Sequence, residues 1–203
     1  MRPDELSALQ VDALREVGSI GAGHAATALS QLVGKPVDID VPRIELLPVA
    51  DVPHVFGGPE RLVGAVHARL LGDIGGSVVF ISDREALLGL VDLLRSKEPG
   101  SSKTLDHDRE GLAVHTASIL ISAYLAAVAR TADLNVLPSQ PSFAFDMMGA
   151  ILEVVTAEVG LKVDVALLVL TRFKVEDETT DAALFFLPDP DSLEIILGRL
   201  GIV

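Results

Sequence analysis

Glu16 and Ser19 lie within the stretch DALREVGSIGAGHAATALSQLVG, whose polar residues fall at helical spacing. Asp12, Glu16, Ser19 and Gly23 follow one another at steps of four, three and four, so on a helix they share one stripe. That stripe sets two carboxylates and a hydroxyl beside a residue with no side chain, an arrangement suited to docking another molecule. Shifting the sequence by 99 lays this helix on a second apolar one and maps the four positions onto Gly111, His115, Ser118 and Ser122. The second stripe is again small and polar. His115 reads as a half-exposed helix histidine rather than a base, because no carboxylate stands at helical spacing to orient it, although Glu110 is near in sequence.

Two other chemistries fail on spacing. The run GSIGAG places its glycines as GxxGxG inside a helical pattern with no strand before them, whereas a dinucleotide turn joins a strand to a helix start. Asp106, His107 and Asp108 are adjacent and point in different directions, while helical metal ligands stand three or four residues apart. The chain has no Cys to supply thiolate ligands or disulfides. No metal site and no cofactor are expected.

The elements that carry the stripes follow from the same periodicity. Leu14, Val17, Gly21, Ala25, Ala28 and Leu32 form the apolar stripe of a helix over about residues 8–33, closed by Gly34 and Pro36. Gly18, Gly21 and Gly23 each cost a helix roughly 1 kcal/mol relative to alanine. Two readings account for them and can hold together: they admit a closely packed neighbour, or Gly23 keeps the surface around Glu16 open to a partner. Extended segments are expected at 37–48, 61–69 and 74–82, then a helix opened by Ser82 and Glu85 as a capping box. The Pro, Gly and Ser run at 96–103 is the linker. Beyond it the spacing predicts a long helix at about 108–131, an extended LNVLP at 134–138 and a short helix around FDMMGAIL. Strands follow at about 161–174 and 181–187, with a last helix capped by Asp189 and begun by Pro190. A shift of 106 lays FISDREALLGLVDLL on FLPDPDSLEIILGRL. Residues 1–203 therefore read as one domain of two similar halves, about 8–95 and 104–200, joined by the linker.

Composition narrows the partners. Hydrophobic residues are 49% and charged residues 22% of the 203, which is globular, while only 4% are aromatic, with no Trp and one Tyr. Base-stacking platforms are unlike this composition. The net charge of −13 repels phosphate backbones and anionic lipid and favours cationic partners, so neither nucleic acid nor membrane insertion is expected. The N-terminus lacks an apolar signal core, and no apolar run reaches the roughly 20 residues of a bilayer span, so a cytoplasmic location is expected.

The stretches EVGSIGAGHAATALSQLVGKPVDIDVP, GDIGGSVVFIS, ASILISAYLAAVA and LPSQPSFAFDMMGAIL resemble, in the same order, the CheC group of chemotaxis phosphatases, whose relatives include CheX and FliY. The resemblance runs from Leu9 to the terminal LGRLGI and implies an α/β (α+β) fold with pseudo-twofold symmetry, two long helices lying side by side on a mainly antiparallel sheet. In that family the helices dock onto the phosphorylated response regulator CheY and speed hydrolysis of its aspartyl phosphate, with the metal belonging to the regulator. An acidic residue, followed three positions later by Asn, recurs on each helix; the acid pairs with the regulator's lysine and the amide orients the attacking water. Carried over, Glu16 matches the first acid, Ser19 replaces the first Asn, His115 replaces the second acid and Ser118 the second Asn. A serine reaches less far than Asn and offers one donor where the amide offers two with a carbonyl acceptor. The resemblance thus implies weak hydrolysis at Glu16 and Ser19 and none at His115 and Ser118. Asp12 and Gly23 flank the first pair as docking positions. Asp146 matches the position through which the family binds the receptor deamidase CheD; read from the residues alone, it equally caps a surface helix while Met147 and Met148 fill core gaps.

Overall fold

A capping box starts the first long helix and a left-handed glycine ends it. Helix α1 spans Ala8–Val33; the Ser7 hydroxyl accepts from the Gln10 amide, and the Gln10 side chain accepts in return from the Ser7 amide. Gly34, at φ +71°, closes it by donating to Ser30 O. The computed structural model describes residues 6–98, 100–159, 165–175 and 178–202, with the backbone alone described at 38–44, 158–159, 165, 171–175, 178–181 and 190.

After α1 come β1 (Asp38–Pro48), a 3₁₀ turn (Val49–Asp51) and the single turn α2 (Val52–Val55). Strands β2 (Leu62–Gly72) and β3 (Gly76–Ser82) lead into α3 (Arg84–Leu94) and the second long helix, α4 (His107–Thr131). The rest of the chain forms β4 (Val136–Pro138), β5 (Ser142–Met147), α5 (Met148–Val159), β6 (Val165–Val175), β7 (Glu178–Pro188) and α6 (Pro190–Arg199). The sheet runs β1-β6-β7-β3-β2-β4, with β5 pairing β2 just beyond β4, and every pair is antiparallel.

Strand β3, GSVVFIS, is buried along its whole length, as a strand covered on both faces must be. Its side chains alternate between two cores. Val78 and Phe80 join the core beneath α1, α3, α4 and α6, which includes Leu14, Val17, Leu120, Tyr124 and Ile196. Val79 and Ile81 point to the opposite core, made with Val52 of α2 and with Met148, Ile151, Leu152 and Val155 of α5. The fold is therefore a mixed α/β structure in which four helices lie on one face of an antiparallel sheet and two on the other.

Several sequence expectations shift. Phe145, Asp146 and Met147, expected to open the short helix, instead end strand β5, because SFAFDM finds a partner in β2, with Asp146 opposite Val63 and Phe145 opposite Gly64. Asp146 does not cap a helix: its Oδ1 accepts from the Met147 amide, while the amides of Met148 and Gly149 that open α5 donate to Arg61 O and Pro59 O. Met148 is fully buried but Met147 is 45% exposed, so only one of the two methionines fills the core. Helix α3 is capped by Asp83, whose Oδ1 accepts from Ala86 at 2.8 Å, and not by Ser82, which is the buried last residue of β3. The first residues of the strand expected at 161–174 lie outside the described residues. By length and composition α4 is apolar enough to cross a membrane, contrary to the sequence expectation. Ala113, Ala117, Leu120, Ile121 and Leu125 face the protein core instead, and Asp108, Arg109 and Glu110 occupy its first turn.

Candidate functional site

Helices α1 and α4 lie against each other, and their directions follow from the sheet. Each is joined by a short connection to the strand after it, α1 to β1 and α4 to β4, and the side chain of Ser30 bonds both the N–H and the C=O of Val37 at the first of these joints. Five successive antiparallel pairings separate β1 from β4 in the sheet, so those strands oppose one another and the helices feeding them do too. Contacts agree: Leu14 and Val17 share an apolar pocket with Leu125 and Val128. The aromatic ring of Tyr124 lies where a Cβ on Gly21 would sit 2.5 Å from its Cε2 and 3.1 Å from its Cγ. Burial pushes the Tyr124 phenol well above its ordinary pKa, and its hydroxyl has no hydrogen-bond partner among the described residues.

The three glycines of α1 thus divide their roles. Gly18 and Gly21 are buried, and Gly21 is the point at which the two long helices close on each other. Gly23 is exposed, with nothing within 4 Å of where its Cβ would be. Asp12, Glu16 and Ser19 are exposed on the same side as Gly23, while Leu14, Val17, Ala22, Ala25 and Leu29 are turned inward. Neither Glu16 nor Ser19 spends its side chain on a hydrogen bond or ion pair among the described residues. Asp12 is engaged: its Oδ1 lies 3.4 Å from Nη1 of Arg15, a residue absent from the sequence reading and the only Lys or Arg in α1.

On α4, Gly111, His115 and Ser122 are exposed and Ser118 is half-buried. The Ser118 hydroxyl donates to Val114 O, one turn back, at 2.6 Å, so its proton is held by its own helix. Because the helices oppose each other, the Glu16–Ser19 pair lies toward one end of the seam and the His115–Ser118 pair toward the other. At 1.5 Å per residue, the pairs are roughly 12–16 Å apart along the axes. They are brought onto one helical layer but not into one reaction centre.

Asp106 is spent as the cap of α4, accepting from the Arg109 amide at 3.0 Å and pairing with the Arg109 guanidinium. Among the described residues no three His, Asp or Glu side chains converge as metal ligands do. Behind this cap lies a polar knot that the sequence did not announce. Asp92, fully buried on α3, accepts from the Ser102 amide at 2.9 Å and from its hydroxyl at 2.5 Å, and Arg109 Nε donates to the same hydroxyl at 3.0 Å. Burial raises the Asp92 pKa, but the Ser102 and Ser101 hydrogen bonds and the Lys97 charge outweigh it and hold the carboxyl below its ordinary range. The linker is thereby tied to α3 and to the start of α4.

Asp146 stands apart from both helix stripes. It is exposed on β5 at a cleft of about 140 Å³ bounded by Ala65, His67, Ser142 and the Ala150, Ile151 and Val154 side of α5. Its neighbours on the strand, Phe145 and Met147, are 38% and 45% exposed.

An antiparallel sheet with paired long helices on one face, and an acidic residue free on the outer stripe of the first, defines the architecture that the sequence resemblance implied. The chain belongs to the CheC-like family. The family model for CheC-like proteins matches residues 9–46. Over 196 residues the chain is 33% identical to the CheY-P phosphatase CheC of Bacillus subtilis, covering 95% of this chain and 94% of that one. The flagellar motor switch phosphatase FliY of the same organism is 32% identical over 91 residues, 45% of this chain and 23% of FliY. The crystal structure of Thermotoga maritima FliY superposes with a TM-score of 0.76 at 14% identity, covering 97% of this chain and 98% of that one.

Proposed function

We propose that this chemotaxis protein works in the cytoplasm by docking a phosphorylated CheY-type response regulator on the outer stripes of α1 and α4, and that it promotes hydrolysis of the aspartyl phosphate weakly, at Glu16 and Ser19 alone. The observation that carries the reading is the exposed, unengaged Glu16 on a helix that matches, along the full chain, a relative named for acting on CheY-P. Gly23 leaves the surface one turn beyond Ser19 open to a docked protein. Glu16 would pair with the regulator's active-site lysine, and Ser19 would hold the water that attacks phosphorus.

The serine sets the rate. Its hydroxyl ends short of where an asparagine amide would reach, and a reactive water displaced by about 1 Å loses on the order of a hundredfold in rate. At the other end of the seam His115 supplies no anion for the lysine, and Ser118 donates its proton to Val114 O, so that pair serves docking only. The test is the decay of phosphorylated regulator with and without the full chain. Acceleration at saturating protein that disappears in Glu16→Ala supports the reading; a decay rate equal to the spontaneous one refutes the hydrolytic part.

A second reading is favoured by Asp146, an exposed carboxylate at the mouth of a cleft far from the helix seam in sequence. There the chain would act as a non-catalytic adaptor, binding the receptor deamidase CheD. Asp146→Lys is then expected to abolish capture of CheD while Glu16→Ala leaves it intact. Capture that survives Asp146→Lys removes this assignment.

A further inference from the structure

We infer that Arg15 supplies, at the first helix stripe, the charge stabilisation that compensates for the missing amide, acting on the phosphoryl group of the docked regulator. The inference rests on the hydrolytic reading above and names a residue that reading does not use.

Arg15 stands one turn before Ser19 on α1, at i and i+4, and is next in sequence to Glu16. In this structure the guanidinium is turned back onto Asp12, one turn toward the N-terminus, so it comes over the short side chain at position 19 only by swinging forward along the helix. The aspartyl phosphate of a regulator is a dianion, and this stripe meets it with two carboxylates, Asp12 and Glu16. Within α1 the one cation able to offset them is Arg15, since the helix holds no other Lys or Arg. Of the two arginines on α4, Arg109 has its guanidinium committed to Ser102, Thr104 and Asp106, while Arg130 is exposed in the last turn.

The side chain is available. It is 51% exposed, and its bond to Asp12 is one long contact of 3.4 Å through Nη1. A guanidinium has five N–H donors, so most of them remain to be used. An exposed single-contact pair of this kind is weak, whereas a phosphoryl group receives the planar fork bidentately through charge-assisted hydrogen bonds. Docking would thus draw Arg15 off Asp12 and onto the phosphoryl oxygens.

The step then balances. The water beside Ser19 forms a bond to phosphorus as the bond from phosphorus to the regulator's aspartate oxygen breaks. The aspartate leaves as its carboxylate, the water's proton passes to a phosphoryl oxygen, and inorganic phosphate departs. Arg15 donates to the equatorial oxygens, where negative charge is spread in the transition state, as arginine does in other phosphoryl transfers.

The experiment follows single-turnover loss of phosphate from a CheY-type regulator labelled with acetyl phosphate, at rising concentrations of wild type, Arg15→Ala and Arg15→Lys. Affinity is measured separately by titration against the same regulator carrying beryllofluoride. The expected result is that Arg15→Ala lowers the rate at saturation at least tenfold, with affinity within threefold of wild type and an unchanged melting temperature, and that Arg15→Lys restores part of the rate. An Arg15→Ala rate equal to wild type at saturation overturns the inference and leaves the hydrolytic reading standing. So does a loss confined to affinity, which would make Arg15 a docking residue. No acceleration by wild type overturns the hydrolytic reading, and this inference falls with it.

Discussion

Replacing Gly21 and Gly23 in turn by alanine asks whether the two glycines differ as their surroundings say. Both variants gain helix propensity, about 1 kcal/mol each. At Gly23 the new methyl meets nothing within 4 Å, so most of that gain should appear as added stability, about 0.5–1 kcal/mol. At Gly21 the methyl would lie 2.5 Å from Tyr124 Cε2, where carbon atoms ordinarily stay at least about 3.5 Å apart, so ring or helix must move by about 1 Å. Tyr124 is only 2% exposed and packed against Leu14, Val17 and Leu125, which leaves the ring little freedom. Overpacking of a tight core costs about 1–3 kcal/mol, and a clash against two ring atoms belongs in the upper part of that range. After the propensity gain, Gly21→Ala should be destabilised by about 1–2 kcal/mol, a fall in melting temperature of about 3–6 °C for a domain of this size. Urea unfolding measures both, with unchanged m-values showing that the native state alone is affected. If Gly21→Ala proves as stable as Gly23→Ala, the close approach of α1 and α4 at Tyr124 is wrong. Because the same contact places the two stripes side by side, the docking face would have to be reconsidered as well.

Gly23→Gln should leave the melting temperature within about 2 °C of wild type yet weaken binding of beryllofluoride-loaded regulator at least tenfold, an effect of about 1.4 kcal/mol; unchanged affinity would remove Gly23 from the docking face. Ser19→Asn should raise the hydrolytic rate about tenfold or more by restoring the amide, whereas Ser118→Asn alone should not, since no acid stands at 115; equal gains from the two changes would contradict the assignment of activity to one end of the seam. Asp92→Asn should cost about 2 kcal/mol at pH 7, as a carboxylate holding two hydrogen bonds is lost. The Asp92 pKa is depressed in the folded chain, so this stability is present above the ordinary value of 3.8 and is lost as pH falls through the folded pKa below it. Unfolding of wild type and variant compared at pH 7 and pH 3 checks the sign, since the difference between them should shrink in acid.

The long helices were legible because each carries its own punctuation. The end of α1 at Gly34 and the start of α6 at Pro190 fall where the sequence put them, although Asp189 stands at the N-cap position without accepting a capping hydrogen bond through its side chain. Exposure of Glu16, Ser19 and His115 could be read from spacing, since the inward stripe beside them is continuous. Arg15 was missed because it belongs to no stripe of its own; only its exposure and its single contact with Asp12 draw notice to it. The error over FDM, the last half of the strand SFAFDM, has a different origin. Six residues with no β-branched side chain give little local strand preference, and the helix formers Met, Ala, Ile and Leu directly after them extend a helical reading backward. The alternation of Phe143, Phe145 and Met147 with Ala144 and Asp146 was visible, but only pairing with β2 decides which period prevails. Burial of Asp92 and its tie to Ser102 could not be foreseen, because a short polar linker looks the same whether it is tethered or loose.

The sheet also says something about how the molecule comes into being. Strand β1, made before the linker, pairs with β6, made after it, while β4 and β5 from the later part complete the edge beside β2. Neither stretch can therefore finish its own hydrogen bonding, and the nascent chain must hold β1 unpaired until β6 has left the ribosome. By the same interlocking, a protease that severs the linker should yield two fragments that stay together until denatured.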